Sequence, residues 1–247
     1  MAKRMIKFSL FSVKGGVGKS TIAYFLAKRL SEKYKVLLVD RDYTNTIGRT
    51  FGLKTGLINV ISDGIEGNYV IQDGNLRVLS LVTISPSKLP SIEEFTQRYS
   101  KVLEGIDVVI ADNPPGTDDI TIFESEGYRM ATGDSNCNGI FVTTPGLAFD
   151  ITLSHLLAIC ESLKKASSLS NYSIEALVVN MVRGKFVMDK MKVQDREVRI
   201  VQIPFIKELL FHGFANSAIT PDLTDLSKII ERKITEAKDS ETSKITG

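Results

Sequence analysis

Short runs of consecutive apolar residues recur along the chain at Ile6–Val13, Val36–Val39, Leu76–Leu81, Val108–Ala111, Ile140–Thr144, Leu177–Asn180 and Arg199–Ile203. Unbroken runs of this length suit strands buried on both faces, the situation of a parallel sheet. Between them the spacing changes to that of helices. Ile22, Phe25, Leu26 and Leu30 share one helical face, as do Leu153, Leu156, Leu157, Cys160 and Leu163. The alternation predicts an α/β fold, a doubly wound and mostly parallel central sheet with helices on both faces. Asp63-Gly64, Gly67-Asn68 and Asp73-Gly74 mark a glycine-rich loop with room for a short strand or hairpin. No Pro/Ser-rich linker or internal repeat divides the chain, so the expectation is one domain over 1–234 and a polar tail over 235–247 that frays.

The first run leads directly into Lys14-Gly15-Gly16-Val17-Gly18-Lys19-Ser20-Thr21, and helical spacing begins at once. Glycines let successive backbone N–H groups curl around phosphate oxygens, and the new helix points its partly positive end at the same anion. Lys19 is placed to reach β- and γ-phosphates, and the Ser20 hydroxyl to ligate Mg²⁺. Thr21 falls on the α-phosphate side. The general P-loop pattern asks for glycine at position 13. This chain has Val13 there, followed by a second lysine, Lys14.

Two later strands end in acids. Val36–Val39 runs into Asp40-Arg41-Asp42, and Val108–Ala111 into Asp112-Asn113-Pro114-Pro115-Gly116. Carboxylates at the C-terminal ends of parallel strands face the crevice where ligands bind in open α/β sheets. Two acids so close repel unless a cation or water takes up the charge. An apolar strand ending in a single Asp delivers a carboxylate to the outer shell of a metal, and the prolines stiffen the segment that follows Asp112. Asp107 starts its strand and belongs at the opposite end of the sheet.

The lysine-bearing loop resembles the deviant Walker A motif of the MinD/ParA family of ATPases. Asp40-x-Asp42 and Asp112–Gly116 resemble that family's two acidic stations, the second being its switch II. The resemblance implies a MgATP-binding, slowly hydrolysing switch that forms an ATP-sandwich homodimer. Lys14 would reach across the dimer to the other subunit's phosphates, Asp40 would support the Mg²⁺ shell, and Asp42 would orient the attacking water. Asn180, at a strand end, matches the family's adenine-reading asparagine, since an amide offers donor and acceptor together. It is also a common turn former. Pro204 matches a segment that lies against the base.

Composition narrows the branch. Apolar residues make up 43% and charged residues 24%, with a formal net charge of +2, an ordinary soluble balance with no strong global field. The two cysteines, Cys137 and Cys160, form no CxxC pair, which disfavours a zinc site and a disulfide framework and fits a reducing cytoplasm. Iron–sulfur scaffold and tail-anchored-protein targeting relatives use CxxC motifs, so both readings are set aside here; a MinD-like membrane-associated positioning ATPase and a metallochaperone-type ATPase of the same superfamily stay as alternatives, although the latter would want a metal-binding Cys pair that this chain lacks. A MinD-like membrane helix would use Leu223, Leu226, Ile230 and Ile234, but acids balance bases around them, and a helix packed on the domain is expected instead. Arg183, Lys185, Lys190, Lys192, Arg196 and Arg199 outnumber the acids between them, enough for non-specific DNA contact once doubled by a dimer. A solvated face has the same composition. The expected assignment is a cytoplasmic ATPase that positions a cargo, DNA foremost, nucleoid-associated if it binds DNA, with room for an activating protein partner.

Overall fold

Every residue of the first strand, β1 (Ile6–Phe11), is buried, because the sheet it enters is covered on both sides. The structure is a computed structural model and describes residues 5–166, 170–215 and 217–243. After β1 come α1 (Lys19–Leu30), β2 (Val36–Asp40), the short helices α2 (Thr46–Thr50) and α3 (Leu57–Ser62), and β3 (Val70–Asp73) with β4 (Leu76–Ser80). Next are α4 (Ile92–Leu103), β5 (Val108–Asp112), α5 (Asp119–Thr132), β6 (Asn136–Thr143) and α6 (Leu147–Ala166). The chain continues through β7 (Asn171–Val182), β8 (Lys190–Val193), β9 (Arg196–Pro204), α7 (Lys207–His212) and α8 (Thr224–Ser243).

The nine strands form one sheet in the order β3-β4-β2-β5-β1-β6-β7-β9-β8. All pairings between β4 and β9 are parallel, and both edges close with an antiparallel hairpin. The β3–β4 hairpin turns at Asp73-Gly74-Asn75, where Gly74 takes a φ of 57°. Strand β8 and the turn into β9 fall where the sequence showed only a charged run.

Three apolar clusters build the core. Alternate residues of β1, β2 and β5 (Phe8, Leu38, Ile110) pack on α1 and α8. The opposite face meets α4 and α5 through Phe95, Tyr99 and Tyr128. The β6–β7–β9 wing packs on α6 through Leu156, Cys160 and Leu163. Ser91 caps α4 by accepting from the Glu94 N–H at 3.1 Å, and Asp118 caps α5 by accepting from the Thr121 N–H at 2.8 Å. Leu223, Leu226, Ile230 and Ile234 of α8 are all buried against the domain, so this face is not offered to a membrane. Helix α8 continues to Ser243, through the point at which the polar tail was expected to begin, and residues 244–247 lie outside the described residues. Among the described residues no helix is long and apolar enough to cross a membrane.

Candidate functional site

The C-terminal ends of β1, β2, β5, β7 and β9 converge on the loop that joins β1 to α1. Gly16 and Gly18 adopt φ of 75° and 84°, and α1 starts at Lys19 with no side chain capping its first turn. The N–H groups there remain open to an anion. Lys19 is buried and donates to Asp112 Oδ1 at 2.5 Å, while Asp112 Oδ2 is buried and has no partner. Lys14, Gly15 and Gly16 are exposed, Val17 is buried, and Ser20 and Thr21 are half-buried at the head of α1.

Gly18 is needed for two reasons. Its φ is left-handed, and a Cβ there would lie 2.2 Å from Asn180 Nδ2. That amide donates to the Val17 carbonyl at 2.9 Å, so β7 braces the phosphate loop directly. Gly18→Ala is expected to reduce nucleotide affinity and to destabilise the apo protein by about 2 kcal/mol or more, from the left-handed backbone and the displaced amide. Urea unfolding and ATP-analogue titration would check both; unchanged affinity would show that the brace is dispensable.

Asp40 is fully buried. Its Oδ2 accepts the Ile47 and Gly48 N–H groups at 2.8 and 3.0 Å, and its Oδ1 the Asp42 N–H at 3.2 Å. It therefore anchors the start of α2 as well as facing the acidic crevice. Burial, and then the Asp112 carboxylate, push its pKa up to about 7 despite those N–H groups. Because this folded value lies above the ordinary carboxylate value, the native state binds the extra proton between about pH 4 and 7. Asp40 therefore favours folding below that window and loses the contribution as pH rises through it. Without nucleotide or divalent cation, Asp40→Asn should gain in stability relative to the parent between pH 5 and pH 8; parallel melting curves across that range would refute the assignment.

Asp42 is half-buried, with Oδ1 accepting the Thr44 N–H at 2.9 Å. The segment after Asp112 lies against the phosphate loop. The Gly116 N–H donates to the Ser12 carbonyl at 2.7 Å, and Asn113 Nδ2 donates to the Leu10 carbonyl at 2.6 Å. Asp40, Asp42, Asp112, Lys19 and the loop are thus brought together as expected from their strand ends.

A cavity of about 240 Å³ opens beside Gly18 and Thr21, lined by Asn180, Met181, Pro204 and Phe205. Its walls are mostly apolar, which suits the faces of a planar base. Asn180 lines it, but one of its amide donors is already engaged by Val17. Met181 holds a φ of 59°, and the β7–β9 register breaks between Val179 and Val182, a strained bulge that aims both residues at the cavity. Larger cavities lie elsewhere, between β3–β4 and α4 and at the other end of the sheet near Asn138 and Lys233, but neither contains the loop or its acids.

The six basic residues do not form one patch. Arg183 stacks on the Phe205 ring at 3.8 Å, beside the cavity, and Lys185 is exposed near it in sequence. Lys190, Lys192 and Arg199 share one face of the edge hairpin, where Lys190 pairs with Glu197 at 3.1 Å. Arg196 lies on the opposite face by register.

A second cluster was not foreseen. Arg41, between the two acids of its station, is fully buried and donates to Asn113 Oδ1 and to Glu124 of α5. Glu124 also accepts from Lys7 Nζ at 2.6 Å and from the Tyr99 hydroxyl. Lys7 stands over the Tyr128 ring. Burial, reinforced by the Arg41 charge, lowers the Lys7 pKa well below the usual lysine value. The signal for Glu124 was present: at a spacing of four residues it falls between Ile120 and Tyr128, both buried and apolar.

Known proteins agree with this geometry. Two solved structures share the fold at low identity. A Cyanothece McdA–ATP complex has a TM-score of 0.63 and 20% identity, covering 96% of this chain and 97% of that one. A plasmid partition protein from Borrelia burgdorferi has a TM-score of 0.60 and 18% identity, covering 94% and 100%. Among curated proteins, the iron-sulfur cluster carrier protein of Aquifex aeolicus is 31% identical over 197 residues, spanning 73% of this chain and 49% of its own length. A cytosolic Fe-S cluster assembly factor Nubp2 homolog of Aedes aegypti is 34% identical over 149 residues, 55% of this chain and 56% of its own length. The chain thus spans about half the length of these curated relatives. Residues 8–212 match the CobQ/CobB/MinD/ParA nucleotide binding domain, and with the loop, the strand-end acids and the sheet order in agreement, the chain belongs to that family of P-loop ATPases.

Proposed function

We propose that the chain is a MgATP-driven switch: ATP pairs two copies face to face, slow hydrolysis separates them, and a cargo is held or released accordingly. The observation that carries this reading is the contact of Lys19 with Asp112, made beside an unpartnered Asp112 Oδ2 and an exposed Lys14. A triphosphate would draw Lys19 to its β- and γ-oxygens. The freed Asp112 and the Ser20 hydroxyl suit Mg²⁺, a hard cation that takes oxygen ligands and keeps several waters. Asp40 would join that outer shell, and the ion would offset charge on the transferring phosphoryl group. Asp42 would orient the attacking water, and Lys14 would act on the phosphates of the second copy.

Two cargo readings remain, each with its own support. Similarity to iron–sulfur carriers favours the alternative, metallochaperone-type reading, which the missing CxxC motif had left second to DNA positioning. The thiols oppose it: one copy carries two cysteines, and Cys160 is buried on the face of α6 that packs on the sheet. Such clusters are held by four thiolates, so ligands beyond those of one copy would be needed. DNA positioning draws on the exposed bases of the β8–β9 hairpin and the loop before it. Binding to random duplex DNA across a salt series, with ATP, with ADP and without nucleotide, separates the readings when run beside anaerobic reconstitution with ferrous iron and sulfide. ATP-dependent, salt-steep DNA binding supports the positioning role. Cluster absorbance without DNA binding would replace it with the carrier role.

A further inference from the structure

We propose that Arg41 is a positioning residue for hydrolysis: its side chain clamps the Asp42 end of β2 and the Asn113 end of β5 to helix α5 as one unit. The inference rests on the reading that Asp42 orients water.

Arg41 sits directly before Asp42, and its backbone N–H donates to the Asp112 carbonyl at 3.1 Å, so the two strand ends are already joined at the main chain. The guanidinium adds the second connection. One nitrogen donates to Asn113 Oδ1, the first side chain after Asp112, and another to Glu124 Oε2 on α5. A planar fork can hold two acceptors on different elements in fixed relation, which an ammonium cannot. Asn113 in turn grips the Leu10 carbonyl at 2.6 Å, close to where the phosphate loop begins. The chain of contacts therefore runs from the loop strand through Asn113 and Arg41 to α5, with Asp42 fixed at its middle.

Neutralising Glu124 does not depend on Arg41 alone. Glu124 already has Lys7 and the Tyr99 hydroxyl, so the carboxylate would be neutralised without Arg41. Arg41 brings a second cation into the same dry region, and its Nε is buried without a hydrogen-bond partner. Removing Arg41 therefore leaves Glu124 paired with Lys7, unlike the costly case in which a buried charge loses its single partner. What an apolar side chain cannot supply is the contact with Asn113.

The test compares Arg41→Met, Arg41→Lys and Asp42→Ala with the parent, as full chains, in thermal melts and steady-state MgATP hydrolysis. Arg41→Met is expected to stay folded at the assay temperature, to keep KM within about two-fold, and to lose kcat by about ten-fold or more. In hydrogen exchange, the protection that a non-hydrolysable ATP analogue confers on α5 should also disappear. A kcat within about two-fold of the parent overturns the proposal, as does a lowered melting temperature with kcat and KM worsening together, the mark of a merely structural side chain. Should Arg41→Met fail to fold, Arg41→Lys decides: it keeps the charge and loses the fork, so reduced kcat at parental KM supports the role and parental kcat removes it. Asp42→Ala with parental turnover would remove the water-orienting reading and the Arg41 role with it. An inactive Asp42→Ala beside a parental Arg41→Met removes the Arg41 role alone.

Discussion

Asp42→Ala is expected to lower kcat by about a hundred-fold or more while leaving MgATP affinity close to the parent value. The carboxylate stands at the end of β2, half-buried, with one oxygen held by the Thr44 N–H and its backbone tied to Asp40. It does not touch Lys19 or the loop glycines through any hydrogen bond among the described residues, so removing it should spare the phosphate cradle. What it should remove is orientation of the water, and with it the step that ends the paired state. ATP dimers should then accumulate. Size exclusion with multi-angle scattering in MgATP, beside a phosphate-release assay, reads both effects. Turnover at the parental rate would assign water positioning to some other group.

The largest stability effect is expected at Glu124. Its carboxylate lies between Lys7 and Arg41 and has no exposure to solvent. Glu124→Gln strands two cations among apolar neighbours, and breaking a buried pair this way costs about 3–5 kcal/mol. Burial already lowers the Lys7 pKa, so part of the strain would be relieved by that lysine giving up its proton. The variant should consequently be least stable at low pH and recover as the solution is made more basic. Adding Lys7→Met should restore part of the loss, because the two sites share one contact and their effects do not add. Urea unfolding of the two single variants and the double variant measures this; a loss under about 1 kcal/mol in Glu124→Gln would mean that water reaches the cluster.

The parts of the molecule legible in the sequence are those that local rules dictate. Continuous apolar runs identified the seven inner strands, and the loop announced itself because only glycine tolerates its backbone at Gly16 and Gly18. The acids followed, since any residue directly after a parallel strand faces the ligand crevice. The edge strand β8 was hidden by its charges: an edge strand facing water on one side carries no continuous apolar run. The Arg41–Glu124–Lys7 cluster was hidden for the opposite reason. Lys7 sits inside a run of buried residues and Glu124 on a buried helical face, and pairing between distant segments cannot be read from either alone. Branch assignment also exceeded local rules. The cysteine count spoke against the iron–sulfur branch, whereas 73% of the chain aligns at 31% identity with an iron-sulfur cluster carrier protein.

The place of β1 in the sheet has a consequence for how the protein is made. Although β1 is the first strand, its neighbours are β5 and β6, with Ile6 beside Val108 and Phe8 beside Asn138. Strands β2, β4 and β3 can pair soon after synthesis, but β1 must wait for roughly a hundred further residues, and such distant pairings form slowly. Until β5 emerges from the ribosome, Ile6–Phe11 is a sticky segment without its seat, and Lys7 still lacks the carboxylate that will neutralise it. A nascent chain halted after α4 should therefore engage chaperones through its first strand, and one extended past α5 should release them.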